Sequence, residues 1–475
     1  MAPGDHEQGR CINSMGDAIE EFANFVTKTD FDQIPETARA TAKTFILDSL
    51  GVGLIGSAGP WAAELVKTQT LWGSGDDARV WAQETRLPAP AAAMCNAYQM
   101  HNSEFDCVHE GAVVHALSVV LPCALAEADR QGIVEGRSVT GAELITAVIL
   151  GVDMACNLGL AATSGLRFFR PGTAGLFGGV SAIAKLRRFD SETLVRAYSI
   201  AYAQLCGTMQ PHSEGSLLLG MQMGFSARNA VVSCDMAQAG LAGLKNILEG
   251  PFGYFSVIES GGDLTEIIAQ MGTLWRITEM AHKPHPSGRA THGVIDAALK
   301  LRADHNFSPA AIESITLSIP PLTHHLVARP VHNAMEINYA RLCSPYVVAV
   351  ASMNGEIRIK DFHAKALRNP DILDLAHRVT IERTDHPDPN ALTPVEVTVA
   401  ITDGRVLRQR IDVVLGNPEN PLTREAHLDK FRHNVAGATI PLSNGQTEAL
   451  IQQVDDLEFI CDIRELIDNL TLPPQ

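Results

Sequence analysis

Up to Trp275 the chain is a succession of apolar segments with helical periodicity, dense in glycine and alanine. PETARATAKTFILDSLGVGLIG, TGAELITAVILGVDMACNLGLA, AGLFGGVSAIAKL and GFSARNAVVSCDMAQAGLAG all carry it. Small residues at helix contacts let backbones approach closely, so the pattern demands a compact, tightly packed helical core. A low aromatic content, 5%, points the same way. Pro35 opens the first of these segments and glycines close it. Thr140 is placed to cap the second, with Glu143 at the reciprocal position of a capping box. GLFGGVSA lies inside a helical pattern, so its glycines read as close-packing positions rather than a phosphate loop.

After Trp275 the pattern changes. ESITLSIPPL alternates as a strand, and PVEVTVAITDG with RVLRQRIDVVLG reads as a hairpin turning at Asp403-Gly404. THGVIDAALKLRA, SPYVVAVASMNG and PDILDLAHRV are helical pieces around these strands. From Thr423 the chain is helical again and is expected to pack back onto the first part. A chain of 475 residues exceeds one ordinary core. The expected fold is mainly α with a smaller α+β unit: a helical domain over 15–275 and 418–475, and an α+β domain over 276–417. Residues 1–14 read as a disordered lead.

The formal net charge of -17 opposes nucleic-acid binding, which needs a basic footprint. It leaves room for an anionic small molecule at a locally basic site. Nine cysteines occur without CxxC pairs, several within apolar runs, as at Cys123, Cys156, Cys206 and Cys234. Buried free thiols in a reducing compartment fit this better than disulfides or zinc. The polar start carries no signal segment, and charges and prolines interrupt the apolar runs. A cytoplasmic protein without membrane partners is expected.

Two clusters carry the chemistry. EFDCVHEGAVVH places Glu104, Asp106, His109, Glu110 and His115 on an irregular stretch just ahead of an apolar helix. Acid/base groups held on a rigid scaffold are the makings of a site floor. KPHPSGRATHGVIDA sets His292 one turn into a helix, beside Lys283, His285 and Arg289. A histidine near a helix N-terminus is biased toward its neutral form and suits a base. Walker, Rossmann, HExxH and GxSxG patterns are lacking, and no metal site is expected. Cys107 reads as structural, and His324-His325 as a surface loop pair.

AAAMCNAYQMHNSEFDCVHEGAVVHALSVVLPCALA, KPHPSGRATHGVIDA, ARLCSPYVVAVA and GFSARN together resemble the MmgE/PrpD family, over almost the whole chain. That family includes 2-methylcitrate dehydratase, cis-aconitate decarboxylase and iminodisuccinate epimerase. The resemblance implies a homodimer with a helical domain built from both chain ends. The α+β part would be an inserted lid, with a cofactor-free site between the two. It implies that His115 and His292 are the catalytic histidines, that Tyr346 is an active-site tyrosine, and that Glu104 and Asp106 hold the acidic positions. Cys107 replaces a second aspartate.

Two departures stand out. Arg170 replaces a family histidine, and Leu219 a family lysine. Arginine is a carboxylate ligand and not a neutral base, so Arg170 is expected to anchor the substrate, with Lys283, Arg289 and His212 next. Three readings follow: a lyase, of dehydratase or decarboxylase type, acting on a small di- or tricarboxylic acid; an epimerase of a dicarboxylic imino or amino acid; or a non-catalytic metabolite-binding homologue.

Overall fold

The computed structural model describes residues 16–388 and 391–471; the expected disordered lead lies outside the described residues. The fold is mainly helical, with one four-stranded sheet and a two-residue-per-strand hairpin at Ala78–Arg79 and Arg86–Leu87. Buried apolar side chains form two groups. One draws on residues 18–280 and 431–470, the other on residues 294–401.

The first group centres on helices Ala89–His101, Leu117–Arg130, Gly141–Ala161, Arg170–Leu186 and Leu218–Gln238. Their glycines are contact points. A Cβ on Gly151 would stand 2.7 Å from the Gly178 carbonyl oxygen, and one on Gly178 would stand 2.6 Å from that of Gly151. Helices Gly141–Ala161 and Arg170–Leu186 therefore touch backbone to backbone, and GLFGGVSA is indeed a packing motif. The Thr140 capping box is present: Glu143 N–H donates to Thr140 Oγ1, and Thr140 N–H donates to Glu143 Oε2. Helix Gly141–Ala161 is long and apolar enough to cross a membrane, a length the interrupted runs did not suggest, yet 94% of its most apolar window is buried inside the protein. Its partners are other helices. The chain end returns as expected: helix Arg424–Ala436 packs on Glu36–Gly56, and Lys430 Nζ lies 2.7 Å from Asp48 Oδ1.

The sheet runs Val379–Arg383, Ile312–Ile319, Val395–Ile401, Val406–Ile411, with the first pair parallel and the others antiparallel. Along Val395–Ile401 every second residue is buried, so Val395, Val397, Val399 and Ile401 form the inner face. Helix His292–Asp304 lies against it, with helix Ser344–Asn354 behind. Gly404 turns the hairpin with φ +90°, a conformation open to glycine. Val379–Arg383 was not legible as a strand: it is a five-residue edge strand in which only Val379 and Ile381 are half-buried, too short an alternation to stand out beside the preceding helix. His324 and His325 lie on the short helix Pro321–Val327, not in a loop.

The strand-like link between the two parts positions the site. Val108 and Ala281 exchange backbone hydrogen bonds at 3.0 and 2.8 Å, and His282 N–H donates to the Gly416 carbonyl at 2.9 Å. This pins residues 281–283 alongside the acidic segment.

Alanine at Gly151 or Gly178 should force two packed helices apart. We expect each substitution to destabilise the protein by about 1–3 kcal/mol, as overpacking does. Chemical denaturation monitored by circular dichroism checks this; unchanged midpoints would contradict the contact.

Candidate active site

The irregular stretch between helices Ala89–His101 and Leu117–Arg130 wraps around one carboxylate. Asp106 is fully buried. Its Oδ2 accepts from Ser118 Oγ at 2.5 Å and from His101 Nδ1 at 2.8 Å, and His115 Nδ1 lies 3.0 Å from the same atom. His101 ends one helix, and His115 and Ser118 flank the start of the next. Glu104 takes the left-handed conformation, φ +53°, which a non-glycine residue adopts at a cost. That turn sends its carboxylate to Lys283 Nζ at 3.0 Å, while Lys283 also stands 3.8 Å from Asp106 Oδ1. Lys283 is wholly buried and reaches the cluster only because Ala281 is pinned to Val108.

Burial penalises charge on every member, and mutual attraction decides which ones stay charged. Burial opposes ionisation of Asp106, but His101, His115 and Lys283 outweigh it and hold the carboxyl well below its usual range. Glu104 is lowered to about 2: burial opposes the shift, and Lys283 and the two histidines overcome it. The histidines diverge. Burial pushes His101 down, but the charge and hydrogen bond of Asp106, with Glu104, more than reverse this, and its pKa is raised. His115 is lowered, by burial first and then by the nearby Lys283 and His101 cations, against a partial pull from Asp106. The two rings, with centroids 4.9 Å apart, are thus pushed in opposite directions. Divergent pKa values at one site define an acid and a base.

Both rings line a cavity of about 100 Å³ between the helical and α+β parts. Glu104, Glu110, His212 and Arg289 also line it. Arg289 donates to Glu110 Oε1 at 2.5 Å and to the carbonyls of His282 and Leu415, while its buried Nη2 has no partner. That nitrogen is free to meet an anion. His212 is lowered to about 4, by burial and then by Arg329, and is a neutral group here.

Three expected site residues stand elsewhere. Arg170 does not line the cavity. It forms a two-armed pair with Glu259, Nε–Oε1 and Nη2–Oε2 both 2.8 Å, and donates to the carbonyls of Ala112 and Ser164. Its planar fork is thus used inside the fold and not offered to a substrate. His292 is fully buried behind Arg289: its Nε2 meets the Ser287 carbonyl at 3.2 Å and its Nδ1 lies 3.4 Å from Arg289 Nη1. Burial and then Arg289 push it well below the usual histidine range. A neutral His292 can accept from Arg289 through Nδ1 there. It starts its α-helix directly, after a single 3₁₀ turn over Arg289–Thr291. Tyr346 is buried in the α+β core, where its hydroxyl donates to the Asp361 carbonyl at 2.7 Å, and it does not line the cavity. Lys283 belongs to the cluster but is committed to Glu104 and Asp106.

Sequence reasoning missed His101 as a site residue. The signal was there: it stands three residues before Glu104 and five before Asp106, at the end of a helix whose final turn faces the same stretch. Cys107 is buried, and burial pushes its thiol well up, as befits a structural residue.

Two sets of ligand-type atoms lie within 4.8 Å of one another among the described residues, His101–Asp106–His115 and Asp48–His282–His427. Each has an ammonium beside its carboxylate, Lys283 at 3.8 Å and Lys430 at 2.7 Å, and that charge opposes a second cation.

The fold and site together define a mainly helical protein with a histidine–carboxylate acid/base centre at the mouth of an α+β unit. The MmgE/PrpD N-terminal domain matches residues 20–267 and the MmgE/PrpD C-terminal domain matches residues 285–457. The chain belongs to the MmgE/PrpD family. It is 24% identical to a cis-aconitate decarboxylase of Aspergillus terreus, covering 98% of each chain. It is 27% identical to that of Mus musculus, over 96% of this chain and 93% of the relative, and 28% identical to that of Homo sapiens, over 96% and 94%.

Replacing Arg170 by alanine leaves Glu259 buried without its partner. We expect a loss of about 3–5 kcal/mol of stability, read from denaturant midpoints, with KM of any folded fraction unchanged. A raised KM at unchanged stability would return Arg170 to the site.

Proposed function

We propose that this chain is a lyase, of dehydratase or decarboxylase type, that moves a proton on a small carboxylic acid. The observation that carries this is the pair of cavity-lining histidines on Asp106, one biased toward the charged form and one toward the neutral form. A substrate carboxylate would meet Arg289 Nη2. With Nδ1 turned to Asp106, His115 has Nε2 left to accept a proton from the carbon next to that carboxylate. His101 then supplies a proton to the leaving hydroxyl, which departs as water and leaves a double bond. In a decarboxylation the carbon–carbon electron pair stays behind as CO2 departs, and the same proton quenches it. Glu110 and His292 hold the Arg289 fork in place. The cis-aconitate decarboxylases among its relatives support the lyase class.

The epimerase reading is less well supported. Removal and return of a proton on opposite faces needs two groups flanking the substrate, whereas His101 and His115 stand ring to ring on one wall. An inactive homologue has little reason to keep a buried, strained cluster that includes several charged groups, because burying charge is costly.

In deuterated water, wild-type protein given candidate acids should yield an unsaturated product or CO2. His115→Ala and His101→Ala should each lower turnover by at least roughly a hundredfold. Deuterium incorporation into an otherwise unchanged acid would instead select the epimerase. Full activity of both variants would remove the histidines from the chemistry.

A further inference from the structure

The cavity is far less polar than a polycarboxylate site should be. Facing the two histidines and Arg289 are Phe169, Met209 and Leu219 from the helical part, and Leu322, Leu326 and Leu342 from the α+β part. Leu322 and Leu326 stand four residues apart on helix Pro321–Val327, so one face of that helix is turned to the cavity. Charge accounting agrees. Among the described residues Arg289 is the only arginine or lysine lining the cavity, and it is already paired with Glu110, whose other oxygen accepts from Asn417 Nδ2 at 2.6 Å. Glu104 adds a negative charge, His101, though biased toward its charged form, is already shared with Asp106 at 2.8 Å, and His212 is neutral. One substrate carboxylate finds a donor in the free Nη2; a second or third would be buried beside leucines without a partner, which costs several kcal/mol each.

We infer that the substrate carries an aliphatic arm of several carbons, lodged between Phe169, Met209 and Leu219 on one side and Leu322, Leu326 and Leu342 on the other, with its carboxylate end at Arg289 and the histidines. This rests on the site assigned under the proposed function and narrows its substrate to an amphiphilic acid. Leu219, at the start of helix Leu218–Gln238 and 2% exposed, is then a specificity residue: a lysine there would favour charge where this chain favours hydrocarbon.

The test is calorimetric binding of 3-hydroxybutanoate, 3-hydroxyhexanoate, 3-hydroxyoctanoate and cis-aconitate to the full chain. Each methylene that enters the cavity should tighten binding about fourfold, so the eight-carbon acid should bind tightest and cis-aconitate more weakly. Leu326→Phe, which fills the cavity without adding charge, should abolish the gain from the longest arm. Leu219→Lys should flatten the chain-length series and strengthen cis-aconitate; if it fails to fold, Leu326→Phe still decides. A flat series, or cis-aconitate as the tightest ligand, overturns the inference. Deuterium exchange on the same acids keeps the two claims apart. Chain-length-dependent binding without exchange or product removes the lyase reading and leaves the arm. Turnover of cis-aconitate without chain-length dependence does the reverse. If none of the acids binds, both fall.

Discussion

A single buried carboxylate, Asp106, organises the functional half of this molecule. It has no solvent to stabilise its charge, so its neighbours must: His101 and Ser118 donate to it, and His115 Nδ1 and the Lys283 ammonium lie 3.0 and 3.8 Å from its oxygens. Its negative charge sets the protonation of two adjacent imidazoles. One is held by a direct hydrogen bond and is biased toward its charged form; the other, more affected by burial and by neighbouring cations, is biased toward its neutral form. The asymmetry between the two imidazoles thus arises from one shared partner with unequal contacts, without any difference in residue type.

The rest of the fold makes that arrangement rigid. Backbone-level packing of glycine-bearing helices fixes the ends of helices Ala89–His101 and Leu117–Arg130, from which the histidines project. The Val108–Ala281 pairing carries Lys283 in from the segment leading to the α+β part, so the charge balance of the site depends on both parts being in place. Arg289, a few residues on, contributes the free guanidinium nitrogen, steered by Glu110 from one part and His292 from the other. The site and the junction are in this sense one structure.

Much of this was legible in the sequence because periodicity and local chemistry are local properties. The small-residue helices, the Thr140 cap, the Gly404 hairpin and the cluster of Glu104, Asp106 and His115 all follow from neighbouring residues. What failed depended on partners distant in sequence. Arg170 looked like a free cation until Glu259, 89 residues on, took both arms of its fork. Tyr346 and His292 carry polar groups that the α+β part uses internally, at Asp361 and Ser287. Strand Val379–Arg383 pairs in parallel with Ile312–Ile319, a partner 60 and more residues earlier, and its own short alternation is too brief to mark it. His101 was visible but is the last residue of a helix, where a histidine commonly serves the helix end. Nothing local marked it as sharing Asp106 with His115.

The central claim is that Asp106 splits two neighbouring histidines into an acid and a base. Histidine-selective isotope labelling, with NMR titration of the ring carbons, measures this directly. The account predicts that His101 titrates above and His115 below the ordinary histidine value of about 6.5. In Asp106→Asn both should move to lower pH, because each loses the anion that favours its charged form. Coincident titrations near 6.5 in the wild type, or an unchanged His101 in Asp106→Asn, would contradict it.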